Sequence, residues 1–99
     1  MGPKVSVITV CYNAEKFIEH AINSVLNQTY ENIEYLVIDG ASTDNTISII
    51  NKYKSKIIFF LSEPDNGIYE AMNKGIKAAT GDILYFLNSD DIFYDEYVI

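Results

Sequence analysis

A chain of 99 residues, 48% of them hydrophobic, can bury one compact core and not two. Its formal charge of -7 argues against a nucleic acid or an anionic membrane as partner, since either needs a basic face to displace counterions; an anionic ligand could bind only through a metal ion or backbone N–H groups. The lone cysteine, Cys11, rules out an internal disulfide, apolar runs such as 57–61 and 83–87 are too short to cross a bilayer, and the opening MGPK leads into no signal peptide, so the expectation is a cytoplasmic chain.

The first element is VSVITV at 5–10, a β-branched run that reads as a strand. Phe17, Ile18, Ala21, Ile22, Val25 and Leu26 then recur on one face of a helix predicted over about 14–27, with Lys16, Glu19, His20 and Asn23 on the other face. EYLVID at 34–39 is the second strand. A second helix is expected to start near Ser42 to Asp44, whose side chains can cap free N–H groups, and to bury Ile47, Ile50 and Tyr53. KIIFFL at 56–61 is the third strand. The turn residues Pro64 to Gly67 open a third helix with a face of Ile68, Ala71, Met72, Gly75, Ile76 and Ala79, and Gly81 is its expected stop. DILYFLN at 82–88 closes the series as a fourth strand, followed at once by the paired acids Asp90 and Asp91. The last three strands are apolar almost without interruption, as expected where helices cover both faces of a parallel sheet.

This β-α-β-α-β-α-β order predicts a three-layer α/β/α sandwich with a mostly parallel sheet, whose ligand crevice lies beyond the carboxyl ends of the strands. The polar clusters at 9–13, 39–44, 62–67 and 88–91 all follow strands, so all are expected at that edge. A dinucleotide site needs glycines after the first strand, where Cys11, Tyr12, Asn13 and Ala14 stand, and a GxxxxGK[ST] phosphate loop is absent. A phosphorylation-receiver module would carry its acid pair after the first strand rather than the fourth. An acid pair at a strand tip suits a hard divalent cation, Mn2+ or Mg2+. Adjacent side chains on an extended backbone point opposite ways, so one carboxylate is expected on the metal and the other on a ribose hydroxyl or a metal-bound water.

Plainer roles compete for several of these residues. Asn13 could cap the first helix, Ser42, Thr43 and Asp44 read first as helix-start chemistry, Tyr12 could be a packing aromatic, and Lys74 an ordinary surface lysine. Met72 reads as core, His20 as solvated, and Cys11 as a small buried residue rather than a nucleophile.

Five stretches, in order and at suitable spacing, resemble the start of a family 2 glycosyltransferase with the GT-A fold: TVCYN (9–13), SVLNQTY (24–30), IDGASTDNT (38–46), SEPDNGIYEAMNKG (62–75) and TGDILYFLNSDD (80–91). The resemblance implies that residues 1–99 form the N-terminal, Rossmann-like, donor-binding part of a nucleotide-diphospho-sugar transferase, inverting, with a glycan or lipid-linked acceptor as in polysaccharide biosynthesis. The acceptor side and the catalytic base are expected beyond Ile99, so no catalytic residue is assigned. By the same resemblance Thr9, Tyr12 and Asn13 lie along the base and ribose, and Asp39 hydrogen-bonds the base. Asp65 and Lys74 stand in the next donor-side segment, Asp90 faces the ribose or a metal-bound water, and Asp91 holds the Mn2+ or Mg2+ that bridges the phosphates. Three positions depart from the family's pattern, where many members place a second acid at Gly40, an arginine at Met72 and an aspartate at Asn88. A receiver-like signalling module and an inactive fragment that forms a homo-oligomer through an open sheet edge stand as the alternatives. In a longer protein, a peripheral position at the inner face of the membrane is the expected location.

Overall fold

The computed structural model describes residues 2–89 and residue 99. Its elements are β1 (Val5–Cys11), α1 (Ile18–Leu26), β2 (Ile33–Asp39), α2 (Thr46–Asn51), a single 3-10 turn (Lys54–Lys56), β3 (Phe59–Ser62), α3 (Ile68–Ala78) and β4 (Ile83–Phe86). The four strands form one parallel sheet in the order β3-β2-β1-β4. The expected alternation and the three layers are both present.

Period-two alternation sorts the sheet's side chains onto two faces. Val5, Val7, Cys11, Tyr35 and Val37 pack with Ile18, Ala21, Ile22 and Val25 of α1 and Ile50 of α2. Ile8, Val10, Leu36 and Ile38 pack on the other face with Ala71 and Met72 of α3. β1 is central, and all seven of its residues are buried. β3 and β4 are not covered on both faces as their apolar runs suggested: Phe59 of β3 is 37% exposed, and Ile83, Leu84 and Tyr85 of β4 are 47%, 42% and 40% exposed. They occupy the two edges, and the three helices lie mainly over β1 and β2.

The first two helices also begin later than their patterns predict, while α3 begins at Ile68, directly after the expected turn. Residues 14–17 form a turn in which the Ala14 carbonyl accepts the N–H groups of Phe17 and Ile18, so Ile18 takes the core position while Phe17 stands 52% exposed. α2 starts at Thr46, whose N–H is accepted by Asp44 Oδ1 at 2.9 Å as expected of a capping carboxylate, while Ser42 and Thr43 are engaged in cross-loop hydrogen bonds. Tyr53, expected in the core, is only half-buried and joins the first two helices by donating to Glu19 Oε2 and accepting from Asn23 Nδ2. On α3, Ala71 and Gly75 are buried while Ile68 and Ile76 remain exposed. α3 ends by turning extended at Ala79 (φ -71, ψ 142), not at Gly81. Gly81 is required for a different reason: a Cβ there would stand 2.4 Å from Ser6 Oγ and 2.8 Å from the Ser6 nitrogen.

That close approach belongs to a polar lock at the end of the sheet away from the strand tips. Glu34, 8% exposed, accepts hydrogen bonds from Ser6 Oγ (2.6 Å), the Thr80 N–H (2.6 Å) and Thr80 Oγ1 (2.8 Å), and pairs with Lys4 Nζ at 3.1 Å. Burial alone would raise its pKa, but the hydrogen bonds from Ser6, Thr80 and Lys4 outweigh it and hold the carboxyl at about 2, from 4.5. A depressed folded-state pKa contributes stability that is present above the unfolded value and lost as pH falls through the folded one. Stability should therefore drop as pH falls from about 4.5 towards 2. Glu34→Gln should cost about 2 kcal/mol at neutral pH and flatten that acid limb, as urea melts at a series of pH values would show.

Candidate functional site

Beyond the carboxyl ends of the strands lies a cleft of about 950 Å³ to which all four strand tips contribute: Tyr12 and Asn13 after β1, Gly40 and Ala41 after β2, Asp65 after β3, Asn88 and Ser89 after β4. Its floor is set by a row across the sheet. The register places Cys11 beside Asp39 and Asp39 beside Ser62. Asp39 is 0% exposed, and a buried carboxylate needs donors for its oxygens. It receives the N–H of Ser42 (2.8 Å) and Ser62 Oγ (2.8 Å) on Oδ2, and the Ser42 hydroxyl and the Cys11 thiol (3.4 Å) on Oδ1. Burial, with the adjacent Asp39 charge, pushes the Cys11 thiol well above its ordinary range, so it is a neutral donor rather than a nucleophile.

A second set of bonds sews the loop after β1 to the loop after β2. The N–H of Asn13 donates to Ser42 Oγ (2.8 Å), that of Ala14 to Thr46 Oγ1 (2.8 Å), and that of Glu15 to Asp44 Oδ2 (3.3 Å). The Thr46 hydroxyl in turn donates a hydrogen bond to Asp44 Oδ1, as the Ser42 hydroxyl does to Asp39. Each hydroxyl is thus a relay between a backbone N–H and a carboxylate. Burial would raise the Asp44 carboxyl, but the hydrogen bonds from Thr46 and Glu15 prevail and hold it below its ordinary value. In return Asn13 Oδ1 accepts the N–H of Thr43 at 2.8 Å. Two non-glycine residues adopt left-handed backbone to permit this, Asn13 (φ 48) and Ala41 (φ 64). Asparagine tolerates that region; alanine is strained in it.

Several sequence-based assignments change. Thr9 does not line the cleft: its side chain is 0% exposed, and its hydroxyl is paired with the Tyr35 hydroxyl at 2.7 Å. Asp39 is enclosed by its internal donors instead of facing a base. Lys74 Nζ lies 3.1 Å from Glu63 and 3.7 Å from Glu70 and donates to the Pro64 carbonyl at 3.3 Å, so it pins the loop after β3. Asn13 caps no residue of α1 and instead organises the turn before α2. Tyr12, 62% exposed, together with Asn13 and Asp65, does line the cleft. Asp90 and Asp91 lie outside the described residues. Met72 packs in the core and His20 is exposed, as expected.

Phe17, Ala41 and Ile68 also line the cleft, and nothing in the pattern of residues marks them for it. Phe17 fitted the helical stripe, and an alanine carries no signal for left-handed backbone. Gly40 could have been noticed as a glycine at a strand tip. A Cβ on it would come within 3.1 Å of Asp65 Oδ2 and 3.4 Å of Tyr12 Cδ1.

Chemically, the described part of the cleft is rich in acceptors and poor in charge to hold an anion. The N–H groups of Asn13, Ala14 and Glu15, successive donors of the kind that cradle a phosphate, are all occupied by side chains. No lysine is among the described residues that line the cleft, and Lys74, which holds the loop carrying Asp65, is itself held by two glutamates. Among the described residues, no three His, Cys, Asp or Glu side chains gather to hold a metal ion.

Residues 6–99 match the sequence profile of glycosyl transferase family 2. An uncharacterized glycosyltransferase of Mycobacterium tuberculosis is 42% identical over 93 residues, which are 93% of this chain and 36% of that protein, so the chain spans about a third of that relative's length. Among solved structures, S. aureus TarS 1-349 in complex with UDP-GlcNAc superposes with a TM-score of 0.85 at 33% identity, over 94% of this chain and 28% of that one. The mannosyltransferase PcManGT from Pyrobaculum calidifontis, in complex with GDP-Man and Mn2+, gives 0.88 at 28% identity, over 97% and 30%.

The sewn loops make opposite predictions at two neighbouring positions. Thr46→Val keeps the shape of a fully buried side chain but leaves the Ala14 N–H and Asp44 without their relay, and should cost about 2 kcal/mol. Ala41→Gly relieves the left-handed strain and should add about 1 kcal/mol. Chemical denaturation of the two variants beside the parent chain checks both signs.

Proposed function

Because the chain belongs to glycosyl transferase family 2, we propose that it forms the donor-binding part of an enzyme that moves a sugar, with inversion, from a nucleotide diphosphate to a glycan or lipid-linked acceptor. The observation that carries this reading is the cleft itself, where four strand tips meet with exposed aromatic and acceptor groups and with no lysine or arginine among the described residues that line it. A nucleoside finds a ring to lie against in Tyr12 and an acceptor in Asp65. A diphosphate finds no compensating charge there and must arrive with its own cation. The UDP-GlcNAc held by TarS and the GDP-Man with Mn2+ held by PcManGT support a nucleotide-sugar donor and a divalent ion for this chain too. Membership of this family leaves no role for the receiver-like alternative.

The roles divide as follows. Tyr12 and Asn13 border the nucleoside, and Asp65 offers it a hydrogen-bond acceptor. Asp39, Ser42, Thr46 and Asp44 hold the loops that carry these groups, and Lys74 holds the loop that carries Asp65. Asp91 is the proposed ligand of a divalent ion and Asp90 the partner of a ribose hydroxyl or of water on that ion; hard oxygen donors fit Mn2+ or Mg2+. Such an ion, when bound, supplies charge neutralisation to the departing diphosphate. The base that deprotonates the acceptor hydroxyl is assigned to the acceptor side, and no described residue takes that role.

Uridine and guanosine diphosphates titrated into the chain should bind in the presence of Mn2+ and lose at least about tenfold in affinity when EDTA is added. Asp91→Asn should reduce binding in Mn2+ to the EDTA level. Binding that ignores both the metal and the substitution would remove the basis of this reading.

A further inference from the structure

We propose that the lysine turn at the amino end of β3, with the exposed Ile58 beside it, is a docking surface for an anionic lipid bilayer. The net charge of -7 opposes such a partner only if it is evenly spread, and it is not. Residues 45–62 contain no acid and carry Lys52, Lys54 and Lys56, a charge of +3; the rest of the chain holds four lysines against fourteen acids, a charge of -10. The fold keeps the three lysines together. α2 brings the chain back from the strand tips, and the 3-10 turn Lys54–Lys56 then feeds β3, with the Ile58 N–H already donating to the Tyr35 carbonyl at 2.9 Å. All three lysines are exposed. Lys54 and Lys56 form no ion pair among the described residues, and Lys52 reaches Glu19 at 3.9 Å, a carboxylate that also accepts from the Tyr53 hydroxyl.

Charge alone would suit any polyanion, and lysines beside an edge strand also serve to keep a second strand away from it. What selects a bilayer is the apolar surface among them. Ile58 is 69% exposed, and Phe59 follows it at the sheet edge. An aliphatic side chain gains by entering the boundary between headgroups and acyl chains and gains nothing from a phosphodiester backbone. Tyr53, the ring between the lysines on which a base would stack, is half-buried with its hydroxyl engaged by Glu19 and Asn23. Lysines suit the same boundary, because the stem lies along apolar surface while the ammonium reaches headgroup phosphates. The acids of the strand tips are far enough away not to cancel this attraction: four residues of β2 separate the Tyr35 row from Asp39, about 13 Å, against a screening length of about 8 Å at physiological salt. The same separation leaves the cleft open when the turn is docked.

Sedimentation of the chain with vesicles of phosphatidylglycerol and phosphatidylcholine, against vesicles of phosphatidylcholine alone, tests this, with thermal midpoints to establish that each variant is folded. The parent chain should partition onto the anionic vesicles at low salt, be released at high salt and leave the neutral vesicles nearly bare. Lys54→Gln combined with Lys56→Gln should lower the partition coefficient about tenfold. Lys16→Gln combined with Lys77→Gln removes the same charge from two exposed positions elsewhere and should leave partition nearly unchanged. Ile58→Ser should lower it a few-fold at every salt concentration, as loss of an apolar contact does. Absence of partition onto the anionic vesicles, or an equal loss from the control pair, overturns the inference. So does full partition by folded Ile58→Ser, or binding of duplex DNA as tight as that of lipid through the same lysines, since either makes the turn a site for any polyanion. Self-association of the Lys54 and Lys56 variant with its partition intact overturns it as well, by leaving the lysines as guards of the β3 edge.

Discussion

The buried carboxylate of Asp39 is the constraint around which the strand tips are arranged. A negative charge without solvent must be surrounded by donors, and here they come from three directions: the Cys11 thiol from β1, the Ser62 hydroxyl from β3, and the N–H and hydroxyl of Ser42 from its own loop. Meeting that requirement brings three loops to one level. The Ser42 hydroxyl then carries the constraint outward to the Asn13 N–H, and the Thr46 hydroxyl repeats the arrangement between Ala14 and Asp44. The electrostatics of one enclosed residue thereby shape a cleft that this residue does not line.

The same bonds fix what the cleft can hold. Three successive N–H groups after a strand are a common anion cradle, and here all three are turned inward onto side chains. The other protein-borne route is narrow: the chain has no arginine, no lysine is among the described residues that line the cleft, and Lys74, which holds the loop carrying Asp65, is itself committed to Glu63 and Glu70. A net charge of -7 around such a cleft favours a ligand that brings positive charge with it. The proposal of a nucleotide accompanied by a metal ion draws on charge, loop chemistry and family membership together.

What could be read from the chain follows a physical division. The strands were legible because β-branched runs have few alternatives, and their order fixed where the polar clusters would gather. Helix starts were less so, because the serines, threonines and aspartates that cap helices also bridge loops; only the spatial neighbour decides, and at Ser42 and Asp44 that neighbour is the β1 tip, 29 residues away in sequence. Phe17 and Ile18 compete for one core position, and the pattern is satisfied by either. At Asp39 and Lys74 the sequence marks a meaningful charge but not its internal partners, because it does not show that Ser62, Cys11, Glu63 and Glu70 are close enough to engage them. Gly81 was taken for a helix stop when its real constraint is the backbone of β1 against it.

Gly75 sets a dimension of the cleft from inside the core. Because a Cβ there would fall 2.6 Å from Ile8 Cγ2, α3 rests on β1 at a spacing fixed by one missing methyl group. The first turn of the same rigid rod forms one bank of the cleft through Ile68 and Ala71. A wedge under its middle would tilt that bank, so the aperture offered to a ligand is inherited from a contact the ligand never meets.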